Sequence, residues 1–293
     1  MLFYQIIGDQ YLSSIIDGIF FSIFAFIIGI ISSSLGVGGG FITTPSLILL
    51  GIEESYAIGT VLFMIIFTSL SATSAYARQP QRIEYRTGLL IAITTVIGAL
   101  VGSLTSYYIA NKAPDIFRII FAIGMFPIAL KMLIFPKEKK DTLETEDEIE
   151  HDDVVFLGFE RREIWSTLLG LIAGFVSGLL GIGGGVVMVP ILVHVGKLSM
   201  HKAVATSMFI MIATSIAGAG VNIIRGTIYL DLAVFLILGI ILGAQIGPRL
   251  IKRINTTRLQ QIFGFVMMIA LFSIAIGRDR IVTLIQGIFV IFF

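Results

Sequence analysis

Gly36-Val37-Gly38-Gly39-Gly40 recurs as Gly181-Ile182-Gly183-Gly184-Gly185, 145 residues further along a chain of 293. Each stretch is followed at the same distance by a proline, Pro45 or Pro190, and then by a glycine, Gly51 or Gly196. The match continues beyond the glycines. Ala57, Thr60, Phe63, Thr68 and Ser69 correspond to Ala203, Thr206, Phe209, Thr214 and Ser215 at an offset of 146. Gly98, Ala99 and Gly102 correspond to Gly243, Ala244 and Gly247 at 145. A duplication on this scale predicts two related halves, and glycine-broken helices in matching places of two membrane halves point to a transport site.

The membrane setting follows from composition. Hydrophobic residues make up 56% of the chain, charged residues 13%, and the mean hydropathy is +0.99. A soluble domain carries about 25% charged residues. Apolar runs of about 20 residues are long enough to cross a bilayer, and eight are expected to be helices. They are Gly18–Leu35, Ala57–Ala77, Thr87–Asn111, Asp115–Phe135, Ile164–Ile182, Ala203–Ile224, Leu232–Pro248 and Thr257–Ile276. Two runs directly after the glycines, Phe41–Leu50 and Val186–Val195, are too short to span.

The expected fold is therefore an all-α integral membrane protein of two five-element halves, residues 1–135 and 164–280. Each half holds a long helix, a glycine break, a half-helix and three more long helices. Between them, residues 136–163 carry 11 of the 19 acidic side chains and read as a solvated linker. Residues 281–293 form an apolar tail. No Lys or Arg precedes the first apolar run, so it reads as a retained helix and not a cleaved signal.

Cations fix the expected orientation. With the N-terminus outside and each half-helix returning to its own face, inside loops collect 15 of the 20 Lys and Arg residues. The outside keeps Lys112, Arg118, Arg225, Arg278 and Arg280. The linker is then cytoplasmic. Five elements per half turn the second half upside down relative to the first, an inverted-topology repeat.

At the breaks, glycine tolerates positive φ and close backbone approach. A helix restarting there presents free N–H groups and the positive end of its dipole. About ten residues cover roughly 16 Å, half the hydrocarbon core, which brings both restarts to the midplane from opposite sides. Paired N-termini make an anion site without a buried cation. The expected substrate-binding residues are Gly38, Gly39, Gly40 and Phe41 with Gly183, Gly184, Gly185 and Val186. Thr43 and Thr44 add hydroxyls to the first half-helix, where the second has Met188 and Val189. Thr60, Thr206 and Gln245 are further polar candidates on the long helices. The alternative for the glycines is close helix packing, the expected role of Gly170, Gly174, Gly178, Gly239, Gly243 and Gly247. For the hydroxyls it is bonding to their own helix carbonyls.

Other chemistries find no residues. Cysteine is absent, which excludes disulfides and thiolate metal sites. His151, His194 and His201 are scattered, so no metal or other cofactor is expected. Neither glycine stretch is followed by the Lys of a phosphate-binding loop. A net charge of +1 with cations confined to loops suggests no nucleic-acid partner. The expected partners are a small anion and the lipid bilayer. Glu53, Glu54, Glu84 and Asp231 sit at helix ends, so no carboxylate inside the bundle marks a proton path, and no coupling ion is specified. Without a central nucleophile, base or carboxylate, catalysis is not expected; the rivals to a carrier are an anion channel of the same architecture and a membrane-embedded enzyme or assembly subunit that needs a partner.

The motifs SSSLGVGGGFITTPSLILLG and SGLLGIGGGVVMVPILVHVG resemble the TauE/SafE family of sulfite exporters and anion permeases. AIGTVLF and AVATSMF, and IGALVGS and LGAQIGP, extend the resemblance over nearly the whole chain apart from the linker and tail. Arg225-Gly226 also fits, whereas Gln79-Pro80 in the first half departs from the pattern. The resemblance implies export or permeation of sulfite, sulfoacetate, thiosulfate or related small organic anions at a prokaryotic plasma membrane.

Overall fold

A computed structural model describes residues 15–79, 83–134, 155–156 and 159–250, together with Phe265 and Met268. The first half contains α1 (Ile15–Leu35), α2 (Gly40–Leu49), α3 (Glu54–Ala77), α4 (Tyr85–Lys112) and α5 (Pro114–Ile134). The second contains α6 (Arg161–Leu180), α7 (Gly185–His194), α8 (Met200–Arg225) and α9 (Leu230–Leu250). Within the linker, β1 (Val155–Phe156) and β2 (Phe159–Glu160) pair antiparallel. Apart from Phe265 and Met268, the expected helix over Thr257–Ile276 lies outside the described residues, as do most of the linker and the apolar tail.

Among the described residues, five helical stretches are long and apolar enough to cross a membrane: Gly18–Leu35, Glu54–Ala77, Tyr85–Lys112, Met200–Arg225 and Leu230–Arg249. The apolar part of α6, Trp165–Leu180, is shorter, because Arg161, Arg162 and Glu163 occupy its first turn. Outward faces are apolar: Phe20, Ile93, Ile123, Leu168 and Leu242 are all exposed. Inward faces carry hydroxyls, with Ser33, Thr44, Thr68, Ser69, Ser207 and Ser215 fully buried. That distribution suits a lipid solvent, in which the backbone must be satisfied inside the helices.

Small residues set which helices meet. α1 lies along α9, where Ser22 donates to the Phe235 carbonyl at 2.9 Å and Ser34 to the Gly247 carbonyl at 2.9 Å. A β-carbon at Gly239 or Gly243 would strike the Ser22 or Phe26 carbonyl. α4 lies along α6 in the same manner: Thr94 donates to the Thr167 carbonyl at 2.7 Å, and Gly98 and Gly102 face the Leu171 and Phe175 carbonyls. Residue numbers rise together in both pairs, so each pair is parallel. α3 and α8 cross at the centre with numbers running opposite ways, Gly59 against Asn222 and Leu62 against Gly218. α3 also packs on α9 through Ser71 and Gln245, and α8 on α4 through Thr206 and Phe209. These contacts set α1, α3 and α9 running one way and α4, α6 and α8 the other.

Candidate functional site at the junction of the glycine breaks

Three glycines in each break take left-handed backbone angles, and they match position by position. Gly36, Gly38 and Gly39 have φ of 74°, 81° and 87°, and Gly181, Gly183 and Gly184 have 67°, 78° and 82°. An L side chain is disfavoured there by about 1–2 kcal/mol, which explains glycine at these places. Gly39 caps α2 and Gly184 caps α7. The half-helices start one residue earlier than the apolar runs suggest, because the last glycine of each stretch is already helical.

The two breaks touch. A β-carbon on Gly40 would lie 2.5 Å from the Gly181 carbonyl oxygen, and one on Gly185 would fall on the Gly36 carbonyl. Both carbonyls are satisfied by hydroxyls from the opposite half. Thr44 donates to Gly181 at 2.9 Å, and Ser207 donates to Gly36 at 2.8 Å. The starts of α2 and α7 are therefore locked back to back.

Their donors are left over. Ile42 and Thr43 return their N–H groups to the Gly39 carbonyl, as Val187 and Met188 do to Gly184. The N–H groups of Gly40, Phe41, Gly185 and Val186 have no acceptor among the described residues. Gly40, Phe41 and Gly185 are buried and Val186 is half-buried. Buried backbone donors are rarely left unpaired, and four at one junction form a polarised surface looking for negative charge. Glu54 is the one buried charged side chain among the described residues; it pairs with Arg118 at 2.6 Å at the start of α3, away from the breaks.

Ile65 of α3 and Met211 of α8 close the junction. They occupy matched positions, 146 apart, and both reach both breaks. The Met211 methyl fills the space of a Gly38 β-carbon and its sulfur lies 2.7 Å from one on Gly185; an Ile65 methyl lies 2.7 Å from one on Gly40. Beside them, a narrow apolar crevice is bounded by Thr95, Gly183, Gly184, Met188, Met211 and Thr214.

Of the residues singled out from sequence, the structure brings Gly38–Phe41, Thr43, Thr44 and Gly183–Val186 together. The Thr43 hydroxyl turns back onto the Gly39 carbonyl at 3.0 Å. Thr60 and Thr206 sit a turn or more away and have matched tasks: each accepts a backbone N–H, from Tyr229 and Glu84 respectively, at 3.0 Å. Those bonds anchor the chain just ahead of α9 and α4. Gln245 is half-buried and ties α9 to α3 through the Ser71 carbonyl at 3.0 Å and the Ser74 hydroxyl at 2.7 Å. Sequence reading passed over Ser207, Ile65 and Met211. The signal for the last two was their shared offset, but apolar pairs at matched depth look like ordinary core. Among the described residues no group of His, Asp or Glu side chains is arranged to hold a metal.

A lipid-suited helical bundle with two half-helices meeting at unpaired backbone donors is the architecture of a membrane transporter. Comparison with known proteins is consistent with that class and narrows it. The family described as "Sulfite exporter TauE/SafE" matches residues 21–274, and the chain belongs to that family. It is 29% identical over 257 residues to the probable membrane transporter protein YunE of Bacillus subtilis, covering 83% of this chain and 92% of that one. It is also 29% identical over 254 residues to the probable membrane transporter protein MJ0441 of Methanocaldococcus jannaschii, covering 81% and 88%. A probable membrane transporter protein of a Sinorhizobium species, ORF9, is 30% identical over 230 residues, covering 78% and 81%. No solved structure matches.

Proposed function

We propose that the protein is a secondary carrier for small sulfur-containing anions, sulfite or organosulfonates, across the plasma membrane. The observation that carries this reading is the junction itself: four backbone N–H groups unpaired among the described residues at two abutting helix starts, with no buried cation among those residues to hold an anion instead. Gly40, Phe41, Gly185 and Val186 supply the donors, Gly38, Gly39, Gly183 and Gly184 form the breaks that present them, and Thr43 and Thr44 line the first-half side. Thr60, Thr206 and Gln245 brace the surrounding helices. The family's description supplies sulfite as the first candidate.

Alternating access follows from an inverted repeat. The matched helices are α1 with α6, α3 with α8, and α4 with α9, and the members of each pair run in opposite directions. The packing is exchanged in the same sense, α1 on α9 and α6 on α4. Those features support inversion. Eight long helices complete the scheme once Thr257–Ile276 takes the place of α5 in the second half. The distribution of Lys and Arg supports an outside N-terminus and a cytoplasmic linker. One half then rocks against the other around the junction, exposing it to each side in turn.

Radiolabelled sulfite flux into proteoliposomes tests the reading. A carrier gives saturable uptake, counterflow, and competition by thiosulfate and sulfoacetate but not by chloride. Linear flux without counterflow replaces the carrier by a channel. Absence of flux for sulfite, thiosulfate and sulfoacetate alike removes the sulfur-anion assignment.

A further inference from the structure

The hydroxyls around the breaks are almost all engaged. Ser33 and Ser34 donate to α1 carbonyls at 2.7 Å, Thr43 to Gly39, Thr44 to Gly181 and Ser207 to Gly36. Ser177 is the exception. It is fully buried in α6, and its Oγ has no hydrogen-bond partner. A serine inside a helix ordinarily bonds the carbonyl one turn back, which here belongs to Ala173, and Ser177 does not. Its Oγ lies 3.4 Å from where a β-carbon of Gly184 would be, so it stands over the cap of α7. The unpaired N–H groups of Gly185 and Val186 begin there. The crevice bounded by Gly183 and Gly184 also includes Ala173 and Gly174, one turn before Ser177 on the same helix.

The matched residue in the first half is Ser32, 145 positions earlier. Its Oγ lies 3.3 Å from the corresponding point on Gly39, and it has an acceptor, the Gly29 carbonyl at 3.4 Å. The duplication thus placed a serine over both caps, and only the second-half hydroxyl is without a partner.

We infer that Ser177 is a substrate-binding residue, its hydroxyl donating to an oxyanion that also accepts the Gly185 and Val186 N–H groups. This rests on the anion reading of the junction. Three donors from two directions fit a headgroup with at least two acceptor oxygens, and they make the α7 side the tighter of the two.

Thermal unfolding of the purified chain in detergent tests this with sulfite, thiosulfate, sulfoacetate and chloride at matched ionic strength. A ligand of the folded state raises the midpoint, with a stabilisation that grows as the logarithm of one plus its concentration over Kd. At least one oxyanion is expected to raise the wild-type midpoint. Ser177→Ala is expected to need about tenfold more of that anion for the same rise, the loss of one hydrogen bond to a charged group, and Ser32→Ala less than about threefold. Without anion, Ser177→Ala should melt no lower than wild type, because it deletes a hydroxyl that has no partner.

An unchanged anion response in Ser177→Ala overturns the role of Ser177 and leaves the anion site standing. A lowered midpoint without anion also overturns it, by showing the hydroxyl engaged in the empty protein. If no anion stabilises the wild type, the anion reading fails and Ser177 with it.

Discussion

Around Gly39 the polar side chains next to the start of α2 already have partners, whereas around Gly184 one of them does not, although both glycines have nearly the same φ, 87° and 82°. Thr43 and Thr44 serve the first half-helix by bonding the Gly39 and Gly181 carbonyls. Met188 and Val189 hold the equivalent places on the second, are buried and offer no such bond. Duplication preserved the backbone of the break and let its walls diverge. A junction built this way keeps matched backbone geometry at both helix starts while its side-chain surroundings differ.

The largest expected effect comes from forcing the two breaks apart. Gly40→Ala puts a methyl against the Gly181 carbonyl and the Ile182 Cα, and Gly185→Ala puts one against the Gly36 carbonyl and the Val37 Cα. Both positions are helical, so the substitution adds no left-handed strain and acts by pressing away the opposite break together with Ile65 or Met211. Since misplacing a binding group by about 1 Å costs on the order of 100-fold, sulfite flux should fall by at least that factor while membrane insertion persists. Normal flux in both variants would break the idea that contact between the breaks matters.

A smaller effect is expected at the closure. Met211 is flexible and polarizable, and adapts to irregular space; Ile65, its counterpart, is β-branched and stiff. Met211→Ala should lower stability by about 2–5 kcal/mol, the usual cost of such a core truncation. It should also admit larger organosulfonates as competitors of sulfite uptake. Ile65→Val should cost only about 0.5–1.5 kcal/mol and leave the competitor ranking unchanged. If the two variants shift the ranking equally, the closure is symmetric and the two halves are more alike at this point than their side chains suggest.

The breaks and half-helices were legible in the sequence because glycine and proline act on the backbone directly, at the residue that carries them. The half-helices expected over Phe41–Leu50 and Val186–Val195 appear as Gly40–Leu49 and Gly185–His194. Seven of the eight expected long helices appear among the described residues, five of them with stretches long and apolar enough to cross a membrane; a bilayer-length apolar run has few other uses. Bonding was not legible. Thr60 and Thr206 stand at matched depth, but that each holds the backbone ahead of α9 or α4 depends on how the connecting segments fold back. Gln245 stood out as a polar residue inside an apolar helix, but spacing alone did not show that its amide ties α9 to α3. Ser177 carried a signal, its offset from Ser32, yet whether a helix serine bonds its own carbonyl depends on a side-chain rotamer that no spacing rule specifies.

The smallest expected effect separates glycines that make contact from those that do not. Gly218 and Gly220 lie two residues apart in α8. A β-carbon at Gly218 would meet Leu62 and the Ser103 hydroxyl at 3.1 Å, whereas at Gly220 nothing lies within 4 Å. Alanine in a helix interior is favoured over glycine by about 1 kcal/mol, so Gly220→Ala should raise thermal stability slightly and leave transport untouched. Slower flux with an unchanged KM would be informative in the opposite direction. With no static contact to disturb, the substitution would then be acting on a bend of α8 made during the cycle, and α8 rather than a whole half would be the moving part around the fixed junction.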